Sequence, residues 1–385
     1  MNLADLISLE DKYQLLTYKK FPLDVVKGKG KYVYDSQGKE YLDLYGGHAV
    51  VSIGHCHPKL VKAIQDQAEQ LIFYSNAVYS PIRAELSKLL VELAPKGIGA
   101  VFFSNSGAEA NETALKIARK FTGREEVISM ENSFHGRTVG SLSVTGAKKY
   151  RDQVRPLLDC KFVPFGDLES VRNSLSERTA AVMVEAIQSL AGVYMAKQGY
   201  YQGLQKLCKE QGVLLIFDEV QTMPGRTGAM FACNNWEVMP DLITTAKGIA
   251  GGIPMGVTFV KEEIAKTITY GEQGSTFGGG QIACAASKAT LEVIQEEKLV
   301  ENARSVGEYA LKIISEVPKV KEVRGLGLLI GVETDLPGGE VQKKLLSKGI
   351  LVGTSDHPKT IRLLPPLIIE RTDIDRFTDE LSKIL

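Results

Sequence analysis

Beyond Gly99, short apolar runs alternate with stretches whose apolar residues recur every three or four positions. The runs are rich in Val, Ile and Phe: Val101–Ser104, Glu126–Met130, Lys161–Pro164, Ala180–Glu185, Val213–Asp218, Asp241–Ala246 and Gly256–Val260. Between several of them lie helical patterns. Ala110–Lys120 sets Ala110, Ala114, Ile117 and Ala118 on one face, and Tyr201–Gln211 sets Leu204, Leu207 and Cys208 on another. Strands that are apolar throughout need cover on both faces. The pattern therefore predicts an α/β fold with a mostly parallel sheet between helical layers.

The C-terminal third changes spacing. Val320–Glu333, Ile350–Gly353 and Ile361–Leu364 read as strands, with helices over about Gln281–Glu296, Leu299–Glu316 and Thr372–Leu385. This is α+β spacing and predicts a second, smaller domain. Near the N-terminus, YVYDSQGKEYLDL reads as two short strands around a Ser36-Gln37-Gly38 turn, expected to pack with the C-terminal part. A chain of 385 residues exceeds what one core usually organises. The expected division is an N-terminal segment over 1–45 joined to the small domain, a large domain over 46–280 and the small domain over 281–385.

Composition narrows the function classes. Lys plus Arg and Asp plus Glu are both 46, so nothing in the charge balance points to nucleic acid or an anionic membrane. Five widely spaced cysteines (Cys56, Cys160, Cys208, Cys233, Cys284) form no CxxC pair and read as free thiols in a reducing compartment. The N-terminus lacks the pattern of a secretory signal, and no apolar stretch approaches a membrane span. A cytoplasmic protein is expected.

In α/β sheets ligands gather beyond the carboxyl ends of the strands, and several polar motifs fall there. Phe103–Asn111 (FSNSGAEAN) is a strand end, a tight Ser/Gly turn and a helix start, which makes an anion cup of free N–H groups. An ordinary helix cap uses the same residues, and the pattern alone leaves both open. Asp218-Glu219-Val220-Gln221 ends an apolar run in two acids and an amide. An Asp so placed can face a protonated pyridine nitrogen, or can serve as a helix cap or metal ligand. Lys247 follows an apolar strand and precedes a Gly-rich turn. Burial would make it a Schiff-base nucleophile, whereas exposure would make it an ordinary strand-end lysine. Ser133–Thr138 (SFHGRT) joins an aromatic ring to an Arg, suited to a flat cofactor and an acidic substrate, or to a loop with a core Phe. Gly325–Gly331 (GLGLLIG) lies inside an apolar strand pattern and reads as close packing rather than a dinucleotide fingerprint.

Taken together, NSGAEAN (105–111), SFHGRT (133–138), DEVQ (218–221) with GRTG (225–228), PDLITTAK (240–247), STFGG (275–279) and RLLPPL (362–367) resemble the class III, fold-type I aminotransferases, in particular the acetylornithine/succinylornithine aminotransferase group. The resemblance runs from about Gly28 to the C-terminus. It implies a large domain with a mostly parallel seven-stranded sheet, a smaller α+β domain, pyridoxal 5'-phosphate as cofactor, no metal, and a homodimer with shared active sites. It implies that Lys247 bonds the cofactor and carries a proton, and that Asp218 pairs with the ring nitrogen. Ser106, Gly107 and Ala108 would hold the phosphate, with Thr276 completing that site from the neighbouring subunit. Phe134 and Val220 would cover the ring faces, and Gln221 and Glu185 would lie on the side of its phenolic oxygen. Arg137 and Ser275 would meet the substrate, and Arg362 a second carboxylate. The implied reaction moves the δ-amino group of N2-acetyl-L-ornithine, or its succinyl counterpart, to 2-oxoglutarate in arginine biosynthesis. The alternatives are another class III ω-aminotransferase acting on ornithine or 4-aminobutyrate, and a non-catalytic phosphate- or nucleotide-binding α/β protein. The chain departs from the family pattern at Glu185–Leu190 (EAIQSL, where EPIQGE is usual), at Met223-Pro224 and at Gly280-Gln281. These departures bear on substrate preference rather than on cofactor chemistry.

Overall fold

The computed structural model describes residues 2–385. Three short strands come first: β1 (Lys27–Lys29), β2 (Tyr32–Tyr34) and β3 (Glu40–Asp43). β2 and β3 pair antiparallel, and the Gly38 N–H closes the intervening turn on the Asp35 carbonyl.

The central sheet takes β4 (Ile98–Ser104), β5 (Glu126–Met130), β6 (Cys160–Val163), β7 (Thr179–Glu185), β8 (Leu214–Asp218), β9 (Leu242–Thr245) and β10 (Gly256–Lys261), in the order β4-β10-β9-β8-β7-β5-β6. All seven apolar runs are strands of one sheet. Every residue of β8 and of β9 is buried, as strands covered on both faces must be. The pairs among β5 to β9 are parallel, whereas β10 runs antiparallel to β4 and β9. The reversal has a local cause. Segment 246–255 between β9 and β10 holds only a 3-10 turn (Lys247–Ala250), and a parallel return needs a longer crossover, usually through a helix. Gly256 at the start of β10 pairs with Ser104 at the end of β4, so the carboxyl ends of β4, β5, β7, β8 and β9 share one edge.

The helix Gly107–Thr122 leaves that edge after β4. Ser106 caps it by accepting the Glu109 N–H, its inner face buries Ala110, Ala114, Leu115, Ile117 and Ala118, and Gly123 ends it in a left-handed conformation at φ 67°.

The C-terminal strands are β11 (Val320–Leu326), β12 (Leu329–Thr334), β13 (Ile350–Leu351), β14 (Gly353–Thr354) and β15 (Thr360–Leu363). The run expected as one strand, Val320–Glu333, is a hairpin. It turns at Gly327, whose φ is 57°, and a Cβ there would lie 2.4 Å from the Arg226 carbonyl. Only glycine meets both conditions. β11, β12, β15 and β14 form one sheet, while β13 pairs in parallel with β3. The helix Gln281–Glu296 packs against the helices Pro58–Gln70 and Pro81–Leu93. No described helix is long and apolar enough to cross a membrane.

Candidate active site

The shared strand edge opens on a cavity of about 750 Å³. Ser106, Gly107 and Ala108 enter it from the helix start after β4, and Phe134 and Arg137 from the loop after β5. Glu185 ends β7 and Asp218 ends β8. Val220 and Gln221 follow, and Lys247 comes from the turn after β9. The C-terminal sheet contributes Arg362 from β15. Eleven sequence-predicted residues thus meet in one cavity; Ser275 and Thr276 do not line it. The Ser275 hydroxyl accepts hydrogen bonds from Asn105 Nδ2 (3.2 Å) and the Gly278 N–H (3.0 Å), and Thr276 is exposed.

The helix start has the form of an anion cup. Ser106 Oγ is used by the Glu109 N–H, and no protein acceptor among the described residues meets the N–H groups of Gly107 and Ala108. A Cβ on Gly107 would stand 2.7 Å from Val220 Cγ1, so glycine lets the helix start and the Val220 side chain close on each other.

Asp218 is buried, and both its oxygens accept. Oδ2 takes Asn111 Nδ2 (2.8 Å) and His135 Nδ1 (2.7 Å), and Oδ1 takes the Val220 N–H (3.0 Å). His135 Nε2 is buried without a partner. Nδ1 carries the proton that His135 donates to Asp218, since a carboxylate oxygen only accepts. Glu185 accepts the Phe134 N–H at 2.9 Å. Burial pushes its carboxyl up to about 7, and Asp218 adds to the rise against the pull of His135 and Lys247. Glu219, the second acid of DEVQ, is not at the cavity. It is fully buried and accepts from Thr222 Oγ1 (3.0 Å) and the N–H groups of Ala232 (2.5 Å) and Cys233 (2.9 Å), which fixes the following loop.

Lys247 has a left-handed φ of 41°, uncommon for a non-glycine residue and of a kind that clusters at functional sites. Burial pulls its ammonium down to about 8. Arg362 and Arg226 act in the same direction, and Asp218 and Glu185 oppose them. A sizeable share of Nζ is therefore neutral and nucleophilic near neutral pH.

The two predicted carboxylate-binding arginines differ in setting. Arg137 is exposed at the cavity, its guanidinium 4.5 Å from the centre of the Tyr150 ring. Arg362 is 2% exposed and donates from Nε to the Thr354 carbonyl (2.7 Å) and from Nη1 to Ser189 Oγ (3.1 Å). Among the described residues it makes no ion pair, its polar partners being a carbonyl and a hydroxyl, and Leu190 lines the same cavity.

Sequence reading missed Tyr18, His48 and Tyr150, which also line the cavity. They come from segments without motif spacing, so nothing local marked them. Asn111 and His135 stood inside quoted motifs, yet their bonds to Asp218 depend on tertiary placement.

The donor set fits pyridoxal phosphate. An unfilled cup of N–H groups suits its phosphate, a buried acceptor-only carboxylate suits its pyridinium, and a partly neutral lysine suits its aldehyde. No group of three or more His, Cys, Asp or Glu side chains suited to a metal occurs among the described residues.

Comparison with known proteins agrees. The aminotransferase class-III family model matches residues 14–385. The chain is 45% identical to the acetylornithine aminotransferase of Methanocaldococcus jannaschii, over 100% of this chain and 98% of that one. It is 44% identical to that of Methanopyrus kandleri, over 99% of each. Among solved structures, the ornithine aminotransferase of Toxoplasma gondii superposes with a TM-score of 0.95 at 32% identity, covering 100% of this chain and 95% of that one. The acetylornithine aminotransferase of Elizabethkingia anophelis superposes with a TM-score of 0.87 at 32% identity, covering 100% and 99%.

The state of Lys247 gives a first test. Borohydride should fix pyridoxal phosphate to Lys247, read by peptide mass spectrometry, and Lys247→Ala should lose the adduct while keeping the wild-type thermal midpoint. The rate of cofactor attachment to the apoprotein should rise by about tenfold per pH unit below about 8 and level off above it, because only the neutral amine attacks. A rate that still climbs steeply to pH 10 would contradict the lowered value.

Proposed function

The chain belongs to the class-III aminotransferase family, and we propose that it moves the δ-amino group of N2-acetyl-L-ornithine, or of N2-succinyl-L-ornithine, to 2-oxoglutarate, as a step of arginine biosynthesis. The donor leaves as an N-acyl-glutamate semialdehyde and the acceptor as glutamate. The observation that carries the reading is the meeting of Lys247 with two arginines, Arg137 and Arg362, in one cavity, in a chain whose relatives at 44–45% identity are acetylornithine aminotransferases.

Pyridoxal 5'-phosphate, when bound, supplies the electron sink that takes up the electron pair of a substrate C–H bond. Ser106, Gly107 and Ala108 bind its phosphate through the helix N-terminus, completed by Thr276 of a second copy of this chain. Asp218 keeps a proton on the ring nitrogen. Phe134 and Val220 cover the two faces, and Gln221 and Glu185 support the side of the phenolic oxygen. Lys247 Nζ takes a proton from the substrate carbon and returns it elsewhere, for which a value near 8 is well matched. Arg137, with Ser275 nearby, orients the α-carboxylate of the N-acylornithine. Arg362 makes no ion pair with a described carboxylate, and Asp356 and Glu185 favour its charge only from a distance, which suits a carboxylate brought by the acceptor.

Three further features belong to this reading. A homodimer is supported by exposed apolar residues near STFGG and on 71–79, including Ile72, Tyr74, Tyr79 and Phe277. The division at 1–45, 46–280 and 281–385 draws support from the β3–β13 pairing, with the helix Gln281–Glu296 as the joint that also packs on the large part. The setting is cytoplasmic, in line with five free cysteines.

A donor panel tests the reaction. With 2-oxoglutarate as acceptor, the N-acylornithines should exceed ornithine and 4-aminobutyrate in kcat/KM, and sedimentation of the same preparation should give a dimer. A preference for free ornithine would move the enzyme to the ornithine aminotransferase branch, and a fully active monomer would remove the shared site.

Arg137→Ala tests the donor anchor. Its exposure limits the expected loss to about 1–2 kcal/mol, a rise of about five- to thirtyfold in KM for the N-acylornithine with kcat held. An unchanged KM would mean that Arg137 does not meet the donor.

A further inference from the structure

Asp218 ends β8 with both oxygens inside the protein, and one of its donors belongs to a chain of contacts that no role above uses. Asn111, on the helix Gly107–Thr122, is 1% exposed. Its Nδ2 donates to Asp218 Oδ2 (2.8 Å) and to the His135 carbonyl (2.7 Å). Its Oδ1 accepts from the hydroxyl of Thr244 on β9 (2.6 Å), and Thr244 is fully buried.

The chemistry of these partners leaves one orientation for the amide. A carboxylate and a carbonyl only accept, so the NH2 end must face Asp218 and His135. The oxygen then faces Thr244, whose hydroxyl must donate to it. A flipped amide would set its oxygen against two acceptors and its NH2 end toward the hydroxyl. The second donor to Oδ2, His135, has its own backbone carbonyl tied to the same Asn111 NH2. One amide therefore holds the carboxylate and also the loop that carries the imidazole.

We propose that Asn111, oriented by Thr244, is a positioning residue for the cofactor's ring nitrogen: it fixes Asp218 in the rotamer that faces that nitrogen. The relay joins three elements, the helix, β8 and β9. The polar side-chain contacts of Asn111 are all to protein groups, Asp218, the His135 carbonyl and Thr244, so it acts through Asp218. A carboxylate with two donors on one oxygen in a buried site is held in one orientation. Removing the amide leaves the His135 carbonyl unpaired and frees Asp218 to turn. Removing the Thr244 hydroxyl leaves a buried amide oxygen unmet and loosens the same carboxylate by one further step.

The inference rests on the reading that Asp218 faces the ring nitrogen, and the experiment separates the two. Holoenzymes of the wild type, Asp218→Asn, Asn111→Leu, Thr244→Val and Thr244→Ser are titrated with pH while the visible absorption of the bound cofactor is followed. Cofactor dissociation constants, kcat, KM for 2-oxoglutarate and thermal midpoints are measured on the same samples. The absorption midpoint should shift in the same direction in Asp218→Asn, Asn111→Leu and Thr244→Val, largest in the first and smallest in the last. Thr244→Val should lose about tenfold in kcat with KM held, equivalent to about 1.4 kcal/mol. Thr244→Ser, which returns the hydroxyl, should bring the midpoint back toward the wild-type value. If Asp218→Asn leaves the midpoint in place, the reading of Asp218 itself fails. If Asp218→Asn moves it but Asn111→Leu and Thr244→Val lower only the thermal midpoint, the relay is structural and the proposal is overturned. Should Asn111→Leu not fold, Thr244→Val, which exchanges only a hydroxyl for a methyl, decides alone.

Discussion

The interaction on which the rest depends is the hydrogen bonding of Asp218 at the buried end of β8. A carboxylate withdrawn from water is stable only if donors replace its hydration. Here they come from the helix after β4 (Asn111), the loop after β5 (His135) and its own following turn (Val220). That requirement fixes how closely those three segments converge, and the cavity is the space they leave. The same confinement holds Lys247 down to about 8 and pushes Glu185 up to about 7. Burial, acting against the attraction of the neighbouring opposite charges, thus yields groups that titrate near neutral pH, which is what a transferase that moves a proton between carbons needs.

The two halves of the chain divide the work. The central sheet brings an anion cup, a carboxylate and a lysine to one edge, because its strands there end together. Other residues reach the cavity from elsewhere in the chain: Arg362 from the C-terminal sheet, Tyr18 from the N-terminal segment and His48 from just after β3, while Arg137 lies on the loop after β5. Leu190 lines the same cavity. It adds no charge beside Arg362, whose protein partners are a hydroxyl and a carbonyl.

Much of this was legible in the residues. Continuous apolar runs such as Val213–Asp218 predicted covered strands, and the structure makes them so. The motifs at strand ends predicted where the cavity would open. The hairpin at Gly327 was not legible, because an apolar run that turns inside the core keeps its hydrophobic pattern through the turn; only the left-handed φ and the nearby Arg226 carbonyl mark it. The antiparallel β10 was hidden for a related reason, since strand direction depends on the length of the connection rather than on the strand's own composition. Tyr18 and His48 were missed because single residues on irregular segments carry no period. Arg137 was read as a carboxylate anchor, and its exposure at the cavity could not be foreseen from SFHGRT alone.

The claim that Asp218 governs the cofactor is tested most directly by nuclear magnetic resonance of holoenzyme carrying pyridoxal phosphate labelled with nitrogen-15 in its ring. The account predicts a protonated ring nitrogen in the wild type across neutral pH and an unprotonated one in Asp218→Asn. A ring nitrogen in the same protonation state in both proteins would contradict it.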